Sequence, residues 1–226
     1  MAQYTDEEEC VSPSYSLEQF LDIVTQYNHA ISPMQVIAYI LGLAALLFAG
    51  IKTDYSNKIV SVILAFFWLW VGIVFNILYW SQLDPTVYIF GILFIIQGIL
   101  FLVFGVFKSS LSFRIKDNLY TYIGFVFVIY GMVVYQILGS LMGRGYPRLL
   151  AFGCVPCPTT VFTFGLLLWV DKKMPKFMII IPFLFALFGI VAIIFGIYED
   201  VGLVIAGILG TILILFQSKK APACSL

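Results

Sequence analysis

The stretch "FGCVPCPTTVFTFGLLLWV", residues 152–170, decides how this chain is read. It is apolar and helical in character, yet only Thr159 to Val170 run free of proline, about 18 Å at 1.5 Å per residue. A bilayer core of roughly 30 Å needs about 20 helical residues. Proline suits the first turn of a helix and opposes an interior position. The segment from Arg148 to Pro158 is therefore expected to be extended, re-entrant or kinked, with a half-helix starting at Pro158. Irregular backbone at membrane depth persists only where it is buried in protein or lines water. The free N–H groups and positive dipole end of such a half-helix would face an anion or a polarised carbonyl.

Everything around this stretch points to lipid. Hydrophobic residues make up 62% of the chain and charged residues 11%, and the mean hydropathy is +1.05, whereas soluble domains carry about 25% charged residues. Seven spans are expected, at 35–51, 59–80, 86–107, 118–139, 150–170, 177–198 and 201–217. The start of the chain holds Asp6, Glu7, Glu8 and Glu9 without a basic residue, unlike a secretory signal, so the first span is expected to be retained. The reading is one all-α membrane unit over 1–226: a tail and amphipathic helix at 1–34, a seven-span bundle at 35–217 and a short tail at 218–226. A net charge of zero gives no reason to expect nucleic acid as a partner. The expected partners are the lipid bilayer, a small solute, and a second copy or a membrane complex.

Lys and Arg then set the orientation. Lys52, Lys58, Lys108, Arg114, Lys116, Lys172, Lys173, Lys176, Lys219 and Lys220 fall on one side, ten of the 12 cations. The opposite side carries the acidic N-terminus, Asp84, Glu199 and Asp200, with Arg144 and Arg148 as exceptions. The expected placement is N-terminus outside and C-terminus in the cytoplasm. The two arginines read either as snorkelling interfacial anchors or as the mouth of an anion-attracting site.

Before the first span, Leu17, Phe20, Leu21, Val24, Tyr27 and Ile31 recur at helical spacing. Ser16 with Gln19 reads as a capping box and Tyr15 can staple onto Phe20. This predicts an outer amphipathic helix serving as a lid or a brace. His29, the sole histidine, reads as structural. No Asp, Glu, His, Lys or Arg falls near the middle of a predicted span, which argues against a proton-coupled pump. The uncharged polar residues there are Asn76, Tyr79, Gln97, Tyr130, Tyr135, Gln136, Thr159, Thr160 and Thr163. They either pair helix to helix or line an outward-facing vestibule.

Gly91, Gly98 and Gly105 lie seven apart, as do Pro182, Gly189 and Gly196. The stretches "GILFIIQGILFLVFG" and "PFLFALFGIVAIIFG" align at an offset of 91 residues. This reads either as an inverted repeat of spans two to four and five to seven, or as chance similarity in a chain rich in Gly and Phe. Cys154 and Cys157 have redox spacing, but Cys10 and Cys224 do not supply a second outer pair, and two thiols with a distant His29 do not complete a metal site.

The segments "QYNHAISPMQ", "FFWLWVGIVFNILYW" and "PCPTTVFTFGLLLW" resemble a family of small multi-spanning bacterial membrane proteins known as a domain of unknown function. Tyr27, Asn28, Ala30, Pro33, Pro156, Pro158, Thr159, Thr163 and Gly165 carry the likeness. It implies membrane class and a bacterial cytoplasmic membrane, and it brings no activity or cofactor. Three functions stay open. The first is binding or conduction of a small neutral or anionic solute at an outer cavity, with Arg144, Arg148, Asn76, Tyr79, Gln136, Thr159 and Thr163 as ligand-binding candidates. The second is a thiol–disulfide oxidoreductase using Cys154 and Cys157, and the third is a structural subunit. No catalytic or metal-ligating set is expected.

Overall fold

A computed structural model describes residues 15–51 and 53–220. Asp6, Glu7, Glu8, Glu9, Cys10, Lys52 and Cys224 lie outside the described residues. The described chain forms eight helices: α1 (Leu17–Ala30), α2 (Met34–Gly50), α3 (Ser56–Gln82), α4 (Val87–Phe107), α5 (Leu119–Leu141), α6 (Pro156–Leu167), α7 (Lys176–Ile194) and α8 (Val201–Lys220). Helices α3, α4, α5, α7 and α8, the last with its leading turn from Tyr198, are long and apolar enough to cross a membrane. The pair α1 and α2 is bent by 81°.

Apolar side chains cover the outside of the bundle at helical spacing: Val36, Ile40, Leu43 and Leu47 on α2, Ile89, Ile92, Ile96 and Ile99 on α4, and Val126, Ile129, Val133 and Ile137 on α5 are all exposed. Asn76, Gln97, Thr159, Thr160 and Thr163 are buried instead. Water would oppose that arrangement, whereas acyl chains solvate it, so the helices suit an integral membrane protein.

Hydrogen bonds sort the loops into two ends. At one end Arg114 N donates to Trp169 O at 2.8 Å, Asp171 N to Ser112 O at 2.9 Å, and Phe113 N to Asn57 Oδ1 at 2.8 Å. Arg114 and Lys116 both pair with Asp171, at 3.3 and 3.4 Å. We call this the lysine end. The other end holds α1 and the loops around residues 83, 148 and 197, joined by Trp80 Nε1 to Tyr15 Oη at 2.8 Å and by Arg148 to Glu18 and Asp22 at 2.8 and 3.3 Å.

Helix α1 forms as its sequence dictates. Ser16 Oγ accepts from Gln19 N at 3.2 Å while Gln19 Oε1 accepts from Ser16 N at 2.7 Å, and the Tyr15 and Phe20 rings stack at 6.4 Å. Phe20, Leu21, Val24 and Tyr27 turn inward.

Helix α6 starts at Pro156, two residues earlier than the expected Pro158, so the irregular segment is shorter and ends at Val155. The reason is local: the N–H groups of the first helical residues have no intrahelical acceptor, so proline at both the first and third positions removes no helix bond. Every α6 residue except Cys157 is buried, and α6 packs against α5, α8, α7 and α3. Backbones meet closely where side chains are absent, as at Gly124 and Gly165, where an added Cβ would lie 2.8 Å from the partner's carbonyl oxygen.

The two seven-residue rows meet different partners. Gly91, Gly98 and Gly105 all face α3, at Gly72, Ala65 and Ser61, whereas Gly189 faces Leu203 and Val204 of α8. Gly196 does not continue the row: it has φ +104° and ends α7. Ile197 N bonds Ala192 O at 2.9 Å and Gly196 N bonds Ile193 O at 3.0 Å, the Schellman arrangement that glycine in a left-handed conformation permits. The predicted span 177–198 therefore stops at Ile194.

Candidate ligand-binding cavity

Because α6 has 12 residues, about 18 Å of helix, it reaches the lysine end but stops short of the α1 end. Residues 149–155 fill part of the remaining depth in non-helical conformation, and their backbone must find partners inside the protein. Asn28 Nδ2 donates to Pro147 O and Leu149 O, each at 2.7 Å, and Tyr27 Oη donates to Cys154 O at 2.6 Å. Gln136, with its amide oriented to satisfy both of its atoms, donates to Leu150 O at 2.7 Å and accepts from Phe152 N at 3.2 Å. Gly153, at φ +72°, completes the turn where a Cβ would lie 2.7 Å from Ala38 Cβ.

Beside this segment lies a narrow cavity of about 40 Å³, partly open to the outside. Phe75 and Trp80 of α3, Phe185, Phe188 and Ala192 of α7, and Phe195 form its wall, and Tyr15 and Phe20 lie over it. Burial raises the Tyr15 phenol above its ordinary pKa, so it stays neutral as it accepts from Trp80. Val155, Pro156, Cys157 and Asp200 complete the lining at the start of α6.

The Schellman turn at Gly196 brings the chain back into the bundle, and Glu199 and Asp200, expected in a loop, are 1% and 0% exposed. Arg144 is their neighbour, not a free cation. Its Nη2 pairs with Glu199 Oε2, its Nε donates to Glu199 Oε1 at 3.3 Å and its Nη1 to Gly196 O at 3.3 Å. Tyr130 Oη donates to Glu199 O at 2.7 Å and Tyr135 Oη to Asp200 Oδ1 at 2.5 Å. The Cys157 thiol adjoins the Asp200 carboxylate, but Oδ2 has no aligned hydrogen-bond partner. A carboxylate thus stands where the half-helix was expected to meet an external anion. With prolines at 156 and 158, the first three residues of α6 carry one N–H, that of Cys157, so little remains there for a second anion.

The residues singled out from the sequence are not brought together. Arg148 is at the surface, paired with α1. Tyr79 packs edge-on to Tyr27 at 5.1 Å. Asn76 is buried in α3 with neither amide atom hydrogen-bonded. Thr159 Oγ1 donates to Val155 O at 2.6 Å, and Thr163 Oγ1 donates to Thr159 O at 2.8 Å while accepting from Trp68 Nε1 at 3.0 Å. Of the two free thiols among the described residues, Cys154 is buried in the core and Cys157 faces the cavity. Among the described residues no three His, Cys, Asp or Glu side chains converge on a metal position. Sequence reasoning overlooked Asp200. The available signal was the pair Glu199–Asp200 following a glycine stop, on the same side as the out-of-place Arg144.

The fold and site define a class: an all-helical bundle, suited to the membrane, with a buried acid beneath an apolar cavity. The chain belongs to the Family of unknown function (DUF6064), which it matches over residues 17–223. No curated protein and no solved structure matches it.

Proposed function

We propose that this is a seven-span protein of the bacterial cytoplasmic membrane, one membrane unit with its N-terminus outside and its C-terminus in the cytoplasm. In this reading α2 and the broken α6 complete the crossings, and the cavity binds or passes a small solute with an apolar body and a polar head. An inverted repeat is not part of it, because the two glycine rows pack on different partners. The observation that carries the reading is Asp200, which lines the apolar cavity and whose buried Oδ2 has no aligned partner. An anionic solute is disfavoured because both guanidinium groups near the site already face carboxylates. Gln136, Thr159, Thr163, Tyr79 and Arg148 are not among the residues that line the cavity.

The test is access. With Cys10, Cys157 and Cys224 replaced by Ser, Ala192→Cys places a thiol on the cavity wall. A small, membrane-impermeant cationic thiosulfonate should modify it in right-side-out vesicles. Modification in inverted vesicles alone, or only after denaturation, would rule out an outward-facing cavity.

A further inference from the structure

Among the described residues three charged side chains are buried near the cavity: Arg144, Glu199 and Asp200. Two of them neutralise each other. Arg144 lays its Nε and Nη2 along the two oxygens of Glu199 and uses Nη1 on the Gly196 carbonyl, so none of these hydrogen bonds goes to Asp200. Asp200 is left with one phenol on Oδ1 and a thiol, a weak donor, nearby. Among the described residues no Lys, Arg or His lies within ion-pair distance of it. A buried carboxylate without a counter-charge is costly in apolar surroundings. This one is fully buried and lines a cavity whose wall is Phe75, Trp80, Phe185 and Phe188.

We infer that the cavity takes an ammonium head on an apolar body, with Asp200 as its counter-ion and the aromatic wall as the seat of the body. The inference rests on the solute-binding reading above and names the class of solute. An ammonium brings three donors and one positive charge to a carboxylate oxygen that has no aligned donor. Aromatic faces add a cation–π attraction that a neutral head does not receive. An alcohol of the same shape supplies one donor and leaves the negative charge uncompensated.

The test compares benzylamine with benzyl alcohol on the full chain in lipid nanodiscs, using radiolabelled benzylamine and competition. Saturable benzylamine binding is expected, with benzyl alcohol competing about tenfold or more less well. Asp200→Asn should weaken benzylamine by at least the same factor, and Ala192→Phe, which fills the cavity and leaves the acid in place, should abolish binding. Should Asp200→Asn fail to fold, the amine and alcohol comparison on the wild-type chain and the Ala192→Phe variant still decide. Equal competition by the alcohol, or undiminished benzylamine binding to a folded Asp200→Asn, overturns the ammonium assignment and leaves solute binding standing. Absence of saturable binding by either compound overturns both.

Discussion

At the scale of single residues, Arg144 and Glu199 carry the largest electrostatic consequence. Both are buried, and each compensates the other's charge. Arg144→Met leaves Glu199 and Asp200 as adjacent buried acids without a cation, and removing one partner of such a pair costs about 3–5 kcal/mol. The expected result is a large drop in thermal midpoint in detergent. The double variant Arg144→Met with Glu199→Gln should recover most of it, because no orphaned charge remains at that pair. If the double variant melts as low as the single one, the guanidinium acts through packing and not through charge. Gly153 is the residue whose geometry admits least change. Its φ of +72° and the 2.7 Å approach to Ala38 combine backbone strain with a steric clash, so Gly153→Ala should destabilise by about 2–4 kcal/mol, read by the same melting measurement.

At the scale of elements, the break before α6 shapes the site. An unwound segment leaves carbonyls and amides that lipid cannot satisfy, and Asn28, Tyr27 and Gln136 meet them from α1 and α5. Polar side chains in the bundle are therefore bound to backbone more often than to each other, and Gln136 and Thr163 do not line the cavity. Gln136→Leu removes a donor and an acceptor from Leu150 and Phe152 together and should cost about 1–3 kcal/mol. Its specific signature is faster hydrogen exchange over 149–155 with α4 and α7 unchanged. Uniform acceleration across all helices would mean that Gln136 supports the whole bundle.

At the scale of the whole molecule, the sorting of loops makes a topological prediction. Alkaline phosphatase fused after residue 84, 144 or 197 should be active, and after residue 54, 112 or 172 inactive, in an expressing bacterium. Activity at 172 would mean that α6 does not complete a crossing, and activity at 54 that α2 does not. The belt of exposed Ile, Leu and Val on α2, α4 and α5 accounts for the demand for lipid. The lysine end holds Lys58, Lys108, Lys116, Lys172, Lys173 and Lys176 together, through loops that bond to one another at Phe113, Asn57 and Val170.

By itself the sequence determined the helical class, most helix boundaries to within a few residues, the capped α1 and the existence of a break near Pro156. These follow from hydropathy over about 20 residues, from proline's missing N–H and from side chains three residues apart, all of which act locally along the chain. Only the tertiary structure decided what the polar groups do. Arg144 read as an interfacial anchor or the mouth of an anion site because its partner lies 55 positions away, and Asp200 read as a loop acid because the turn at Gly196 had to fold before the acid could be buried. Charge pairing across that distance in the chain depends on which helices become neighbours, and no local pattern encodes it.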